Sequence, residues 1–180
     1  MNELAEKLKK IKIFITDVDG VLTDGRIILG SNGLELKAFH AQDGLGLHLA
    51  QKAGLKTAII TGRYSEAVER RGRELAFDYV FQGVTDKKSV LREILTKEGL
   101  NLNEAAYIGD DLNDLPILKL AGVKLAVNNA VNEVKEAADY VTRKDGGCGA
   151  VREAVELILK AQDKWEKIMS GYLEKTRGVQ

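Results

Sequence analysis

The sequence predicts a doubly wound α/β fold, a parallel sheet with helices on both faces. Three observations predict it. Short β-branched and apolar runs recur along the chain, at KIFIT (12–16), KTAII (56–60), DYVF (78–81), AAYI (105–108), VKLAV (123–127) and DYVT (139–142). Most are continuous rather than alternating, the pattern of strands buried on both faces. Amphipathic stretches separate them, near 44–53, 64–76, 86–98, 112–121 and 131–137, most ending at Gly or Asn. Strand and helix in alternation make βαβ units and so a parallel sheet.

The first strand, 12–16, exits into Asp17-Val18-Asp19-Gly20. Where a helix should follow, residues 25–40 (GRIILGSNGLELKAFH) form two β-like runs around Ser31-Asn32-Gly33, and Asn-Gly between such runs signals a hairpin. The hairpin carries Ile27, Ile28, Leu29, Leu34, Leu36 and Phe39, more apolar surface than a two-stranded ribbon covers by itself. It is expected to pack against another subunit. Asp43 reads as the N-cap of the helix that follows, and His40 and His48 read as structural.

The second strand, 56–60, exits into Thr61-Gly62-Arg63, a hydroxyl and a flexible backbone entering a helix, which is a local anion site. That helix is rich in Arg, with Arg70, Arg71 and Arg73 on it. After strand 78–81, Asp86-Lys87-Lys88 opens a helix that Asp86 caps and from which a Lys can reach a phosphate. Strand 105–108 exits into Gly109-Asp110-Asp111-Leu112-Asn113-Asp114, three carboxylates within five residues. Near the C-terminus DGGCGA (145–150) lacks the spacing of a phosphate loop and reads as a flexible turn before a helix from Ala150 to about Tyr172. The polar tail EKTRGVQ follows, and its Lys175 and Arg177 form a candidate lid.

Size and charge narrow the function. A chain of 180 residues with no linker or repeat is expected to be a single domain over 1–180, the hairpin at about 25–40 and the C-terminal helix and tail at about 150–180. Its 27 Lys and Arg balance 27 Asp and Glu, so no general pull toward nucleic acid or anionic membrane exists. No apolar run spans a bilayer, and MNELAEKLKK has charges where a signal peptide needs apolar residues, so a cytoplasmic protein is expected. Cys148 has no partner for a disulfide or a zinc site and reads as a small turn residue.

Ligands of parallel α/β sheets bind beyond the carboxyl ends of the strands, where all these polar groups fall. Asp17 and Asp19, two apart, can converge on one centre, and crowded carboxylates repel unless a hard cation such as Mg2+ joins them. Acids at two strand exits of one sheet point to a shared divalent-metal site.

With Asp17 and Asp19 in DVDG, Thr61 in TGR, Lys87, and Asp110 and Asp114 in GDDLND, the chain resembles the haloacid dehalogenase-like phosphohydrolases. The resemblance covers roughly 11–160, and separations of 44, 26 and 23 residues leave no room for a large cap. It implies a Rossmann-like fold of the capless subclass. It also implies catalytic roles: Asp17 as nucleophile, Asp19 as acid and base, Thr61 and Lys87 as phosphate donors. Mg2+ would be held by Asp17, the Asp19 carbonyl and Asp110, with Asp111 or Asp114 orienting that set.

DVDGVLTDG, the hairpin in place of a cap, and DGGxGAVRE are further similar to the 3-deoxy-D-manno-octulosonate 8-phosphate phosphatase family. This implies a phosphatase for that sugar-acid phosphate in lipopolysaccharide precursor synthesis, assembled as a homotetramer through its hairpins. Arg63 and Arg71 are then the candidate substrate-binding cations. The alternatives are a capless phosphatase for a nine-carbon sialic-acid-type 9-phosphate and a catalytically idle assembly protein.

Overall fold

The computed structural model of the chain describes residues 3–175. Six parallel strands form the central sheet in the order β5-β4-β1-β6-β7-β8, where β1 is Ile13–Thr16, β4 Lys56–Ile60, β5 Tyr79–Phe81, β6 Ala105–Gly109, β7 Val123–Ala126 and β8 Tyr140–Val141. The order reverses at β1, flanked by β4 on one side and β6 on the other. Every residue of β1 and β6 is buried, as continuous apolar runs require.

Because parallel crossovers are right-handed, reversing direction at β1 moves the helices to the opposite face. Helices α2 (Ala41–Lys52) and α3 (Glu66–Glu74) belong to the first set of crossovers; α4 (Lys87–Glu98), α5 (Leu115–Leu118) and α6 (Asn132–Ala137) belong to the second. The chain then returns through α7 (Ala150–Ala161), which packs along α2 and against α1 (Glu3–Lys9). The charged start that we read only as unlike a signal peptide is thus a helix, whose Leu8 enters the core.

Several expectations need correction. The helix expected at 112–121 is a 3-10 turn at Leu112–Asp114 followed by the four-residue α5, with Pro116 in its first turn. The C-terminal helix expected from Ala150 to about Tyr172 breaks into α7 and α8 (Trp165–Lys175). Asp163 turns to φ 56° at the break, and Gln162 Nε2 donates to the carbonyls of Leu8 (3.1 Å) and Ile11 (2.7 Å), tying the turn to the N-terminal segment. Arg177 of the candidate lid, with the side chain of Lys175, lies outside the described residues.

Asp43 is the third correction. Its own helix starts at Ala41, and its buried carboxylate instead accepts hydrogen bonds from Arg152 N (2.8 Å) and Gly149 N (3.3 Å), capping α7 from across the fold. Burial raises the Asp43 carboxyl above its ordinary range, opposed by those backbone N–H groups.

The hairpin forms as β2 (Ile28–Leu29) and β3 (Glu35–Leu36), joined at Ser31-Asn32-Gly33 with Asn32 at φ 62° and Gly33 at φ 77°. Left-handed backbone at both turn residues is what Asn-Gly accommodates best. Ile27, Ile28, Leu29, Leu34 and Leu36 are all exposed, Leu29 at 72%. Phe39, counted with them above, instead packs on the core, with the Arg71 guanidinium 5.8 Å from its ring centroid.

The glycine-rich turn is a tight clamp. Gly147 N donates to Val21 O (2.9 Å), Gly146 N to Asn129 Oδ1 (2.9 Å), and a Cβ on Gly146 would collide with the Gly20 carbonyl. The turn therefore closes on the loop leaving β1, which explains its glycines by close approach rather than flexibility.

Candidate active site

The three central strands end side by side, and their exits bring Asp17, Thr61 and Asp110 together at the point where strand order reverses. In-register pairing sets Thr16 level with Ile59 of β4 and Ile108 of β6. Asp17 N still donates to Ile108 O (3.2 Å), so the next residue leaves the sheet with its carboxylate buried. Thr61, also buried, has its N–H on Phe81 O and its carbonyl on Val84 N, each at 3.0 Å.

Lys87 enters this cluster from the first turn of α4, which Asp86 caps through Lys88 N and Ser89 N. Its ammonium lies 2.7 Å from Asp17 Oδ2 and 2.6 Å from Asp114 Oδ1, with only 4% of the side chain exposed. Asp114 accepts on both oxygens. Tyr107 OH donates to Oδ1 (2.6 Å), and Asp110 N (2.9 Å) and Asp111 N (3.4 Å) donate to Oδ2. Asp111 caps its own turn through Leu112 N and is exposed. Gly20, at φ +87°, has no room for a Cβ because the Asp110 carboxylate occupies that space.

Charge decides what this cluster lacks. Asp17, Asp110 and Asp114 each bring a carboxylate oxygen within 4.8 Å of the others. Lys87 pairs with two of those three acids. Burial, then Asp114, raises Asp17 from 3.8 to about 6 against the pull of Lys87. Burial, then Asp114 and Asp17, raises Asp110 from 3.8 to about 8. Burial disfavours the Lys87 ammonium, but Asp17 and Asp114 prevail and its pKa rises. Buried oxygen donors with surplus negative charge fit a hard divalent cation.

A pH dependence follows. Both acids are raised, so without metal the folded protein holds protons that the unfolded chain has released. Their contribution to stability therefore falls as pH rises from about 4 through about 8. A divalent cation replaces those protons. We expect the thermal midpoint in EDTA to be lower at pH 8 than at pH 6, and Mg2+ to raise it more at pH 8; an equal rise at both would show that these acids do not meet the ion.

Asp19 points to a different set of groups. Its Oδ1 pairs with Lys37 of the hairpin, and its Oδ2 lies 3.6 Å from Arg63 Nε. Arg71 is placed apart from these contacts, pairing with Glu74 (2.9 Å) beneath Phe39, its buried Nε without a hydrogen-bond partner among the described residues. Sequence reasoning passed over Tyr107, Glu35 and Lys37. Tyr107 was hidden in an apolar run. Glu35 and Lys37 carried a usable signal: their alternation with Leu34 and Leu36 puts two charges on one face of a strand.

A family model for haloacid dehalogenase-like hydrolases matches residues 79–154. The 3-deoxy-D-manno-octulosonate 8-phosphate phosphatase of Escherichia coli K12 is 42% identical over 165 residues, 92% of this chain and 88% of that protein. This chain belongs to that phosphatase family. The member from Moraxella catarrhalis, solved with magnesium, phosphate and the sugar acid, superposes with a TM-score of 0.93 at 47% identity, covering 96% of this chain and 99% of that one. The cobalt-bound family member from Haemophilus influenzae gives 0.85 at 41% identity, over 88% and 92%. The six-stranded sheet without a large cap is thus the family's fold, as the sequence predicted.

Proposed function

We propose that the chain is a Mg2+-dependent phosphatase that hydrolyses 3-deoxy-D-manno-octulosonate 8-phosphate to the sugar acid and phosphate, in lipopolysaccharide precursor synthesis. The observation that carries this reading is the meeting of Asp17 and Asp110, at adjoining strand ends, with Lys87 reaching Asp17 from the first turn of α4, in a chain whose relatives bear that activity in their names.

In this reading Asp17 attacks phosphorus as the bond to the sugar oxygen breaks, leaving an aspartyl-phosphate. Asp19 gives a proton to the departing oxygen, then takes one from the water that cleaves the intermediate. Thr61 and Lys87 hold the phosphate oxygens. Asp17, the Asp19 carbonyl and Asp110 hold Mg2+, while Asp114, fixed by four donors, orients Lys87 and the Asp110 backbone; Asp111 shapes the same turn. Bound there, Mg2+ supplies positive charge to the phosphate oxygens. Arg63 and Arg71 are the cations assigned to the substrate carboxylate.

The test is phosphate release from a panel of 3-deoxy-D-manno-octulosonate 8-phosphate, sialic-acid-type 9-phosphates and simple sugar phosphates, with and without EDTA. Preference for the eight-carbon ester supports the reading. Preference for a nine-carbon ester replaces its substrate, and no release from any ester favours an idle assembly protein.

We further assign a homotetramer built on the hairpins, in the cytoplasm. Five exposed apolar residues on one ribbon support the assembly, since an uncovered patch of that kind is costly in water. Among the described residues no helix is long and apolar enough to cross a membrane. Light scattering at micromolar concentration is expected to give a tetrameric mass and Leu29→Lys a smaller one. A monomeric mass for the natural chain would refute the assembly.

A further inference from the structure

The hairpin does more than present an apolar face. From Leu34 to Phe39 its residues alternate strictly, with Leu34, Leu36 and Ala38 exposed and Glu35, Lys37 and Phe39 turned inward. The inward charges close a ring with the loops leaving β1 and β4. Asp19 Oδ1 pairs with Lys37, Lys37 Nζ lies 3.1 Å from Glu35 Oε1, Glu35 Oε2 accepts from Arg63 (3.2 Å), and Arg63 Nε lies 3.6 Å from Asp19 Oδ2. Two acids alternate with two cations, so the ring is neutral.

Its members are not equivalent. The Lys37 side chain is 2% exposed, against 47% for Arg63, and Lys37 makes the closer contact to Asp19. An ammonium that has lost its water is held by its partners in one place, whereas an exposed guanidinium at a longer distance is free to leave for a ligand. Each oxygen of Asp19 therefore faces its own cation, one fixed and one mobile. A general acid and base must be presented to the departing oxygen and then to water in one orientation, and a carboxylate anchored by one oxygen retains that orientation when Arg63 moves.

We propose that Lys37 is a positioning residue for the reaction, holding Asp19 for proton transfer, with Glu35 tying Lys37 and Arg63 into one unit. This rests on the reading of Asp19 as acid and base. The hairpin then couples its outer, apolar side to the chemistry through its inner, charged side.

The leaving group provides the test. A sugar alkoxide needs a proton to depart, whereas p-nitrophenolate does not. With the Mg2+-loaded enzyme in excess over ester, release of the alcohol reports the first step alone. Asp19→Asn sets the benchmark: sugar release falls far more than nitrophenol release. For Lys37→Met we expect sugar release to fall about tenfold or more, part of the roughly 10²–10⁴ that general acid catalysis supplies. Nitrophenol release should stay within about threefold and KM should change little, and Lys37→Arg should recover part of the loss. Glu35→Gln, the milder change, should show the same pattern at smaller size and serves if Lys37→Met does not fold.

Equal slowing of both esters, or no slowing, would overturn the role of Lys37. If Asp19→Asn itself slows both esters alike, or the natural enzyme releases neither alcohol, the reading beneath it fails instead.

Discussion

Asp17→Asn is expected to keep the fold and to lower phosphate release at least about 10³-fold, the scale on which loss of a covalent nucleophile is felt. An amide matches the carboxylate in size, and its oxygen can still accept from Val18 N, which now lies 2.6 Å from Asp17 Oδ1. It cannot form an acyl phosphate. The change also removes a negative charge facing Asp114 and Asp110. Asp17 is raised to about 6, so its ionisation costs stability as pH climbs through that value, and Asn lifts this cost. The metal-free variant should therefore melt no lower than the natural protein at pH 8 while being almost inactive. Near-normal turnover would remove Asp17 from the mechanism.

Lys87→Met is expected to lose both activity and stability. The Met side chain fills much of the volume but leaves Asp17 and Asp114 facing each other with no cation between them. Breaking a buried ion pair by removing one partner costs about 3–5 kcal/mol. The Lys87 pKa is raised in the fold, so its contribution is fully present below the unfolded value of 10.5 and is lost only as pH rises through the folded one. Without it, the variant should be least stable at neutral and alkaline pH in EDTA, and acidification that protonates the carboxylates should restore part of the loss. Thermal melts at pH 5 and pH 8 measure this. A melt at pH 8 unchanged from the natural protein would show that solvent or relaxation already compensates these charges. Phosphate release should fall together with stability, because the same ammonium is assigned to phosphate oxygens.

The two variants differ because one residue adds to the surplus charge and the other relieves it. That distinction was not legible in the sequence. Asp17, Lys87 and Asp110 stood out there as polar groups at strand exits, a position read from the periodicity of the runs before them. The motif also marked Asp114. Its accepting of four hydrogen bonds, and so its place between Lys87 and the Asp110 backbone, depends on Tyr107 one strand-length away and on a 3-10 turn where we expected a helix.

Local pattern decided much else. The Asn-Gly turn, the six strands of the sheet and the exposed apolar ribbon follow from side-chain period and backbone preference, which act between near neighbours. Where a residue's partner lay far along the chain, its role was missed. Asp43 had every local mark of an N-cap and served the N-terminus of a helix 106 residues away. The C-terminal helix had the pattern to continue and was broken by Gln162 reaching the carbonyls of Leu8 and Ile11.

The sequence by itself thus determined the sheet's strands and the order of their polar exits, because each is carried by residue type at short, regular spacing, while its motifs carried the resemblance that implied the family and the reaction class. Only the tertiary structure decided which carboxylates share one cation, why glycines clamp the loop after β1, and that Lys37 reaches Asp19. Those depend on distances between segments remote in the chain, and side-chain chemistry alone does not contain them.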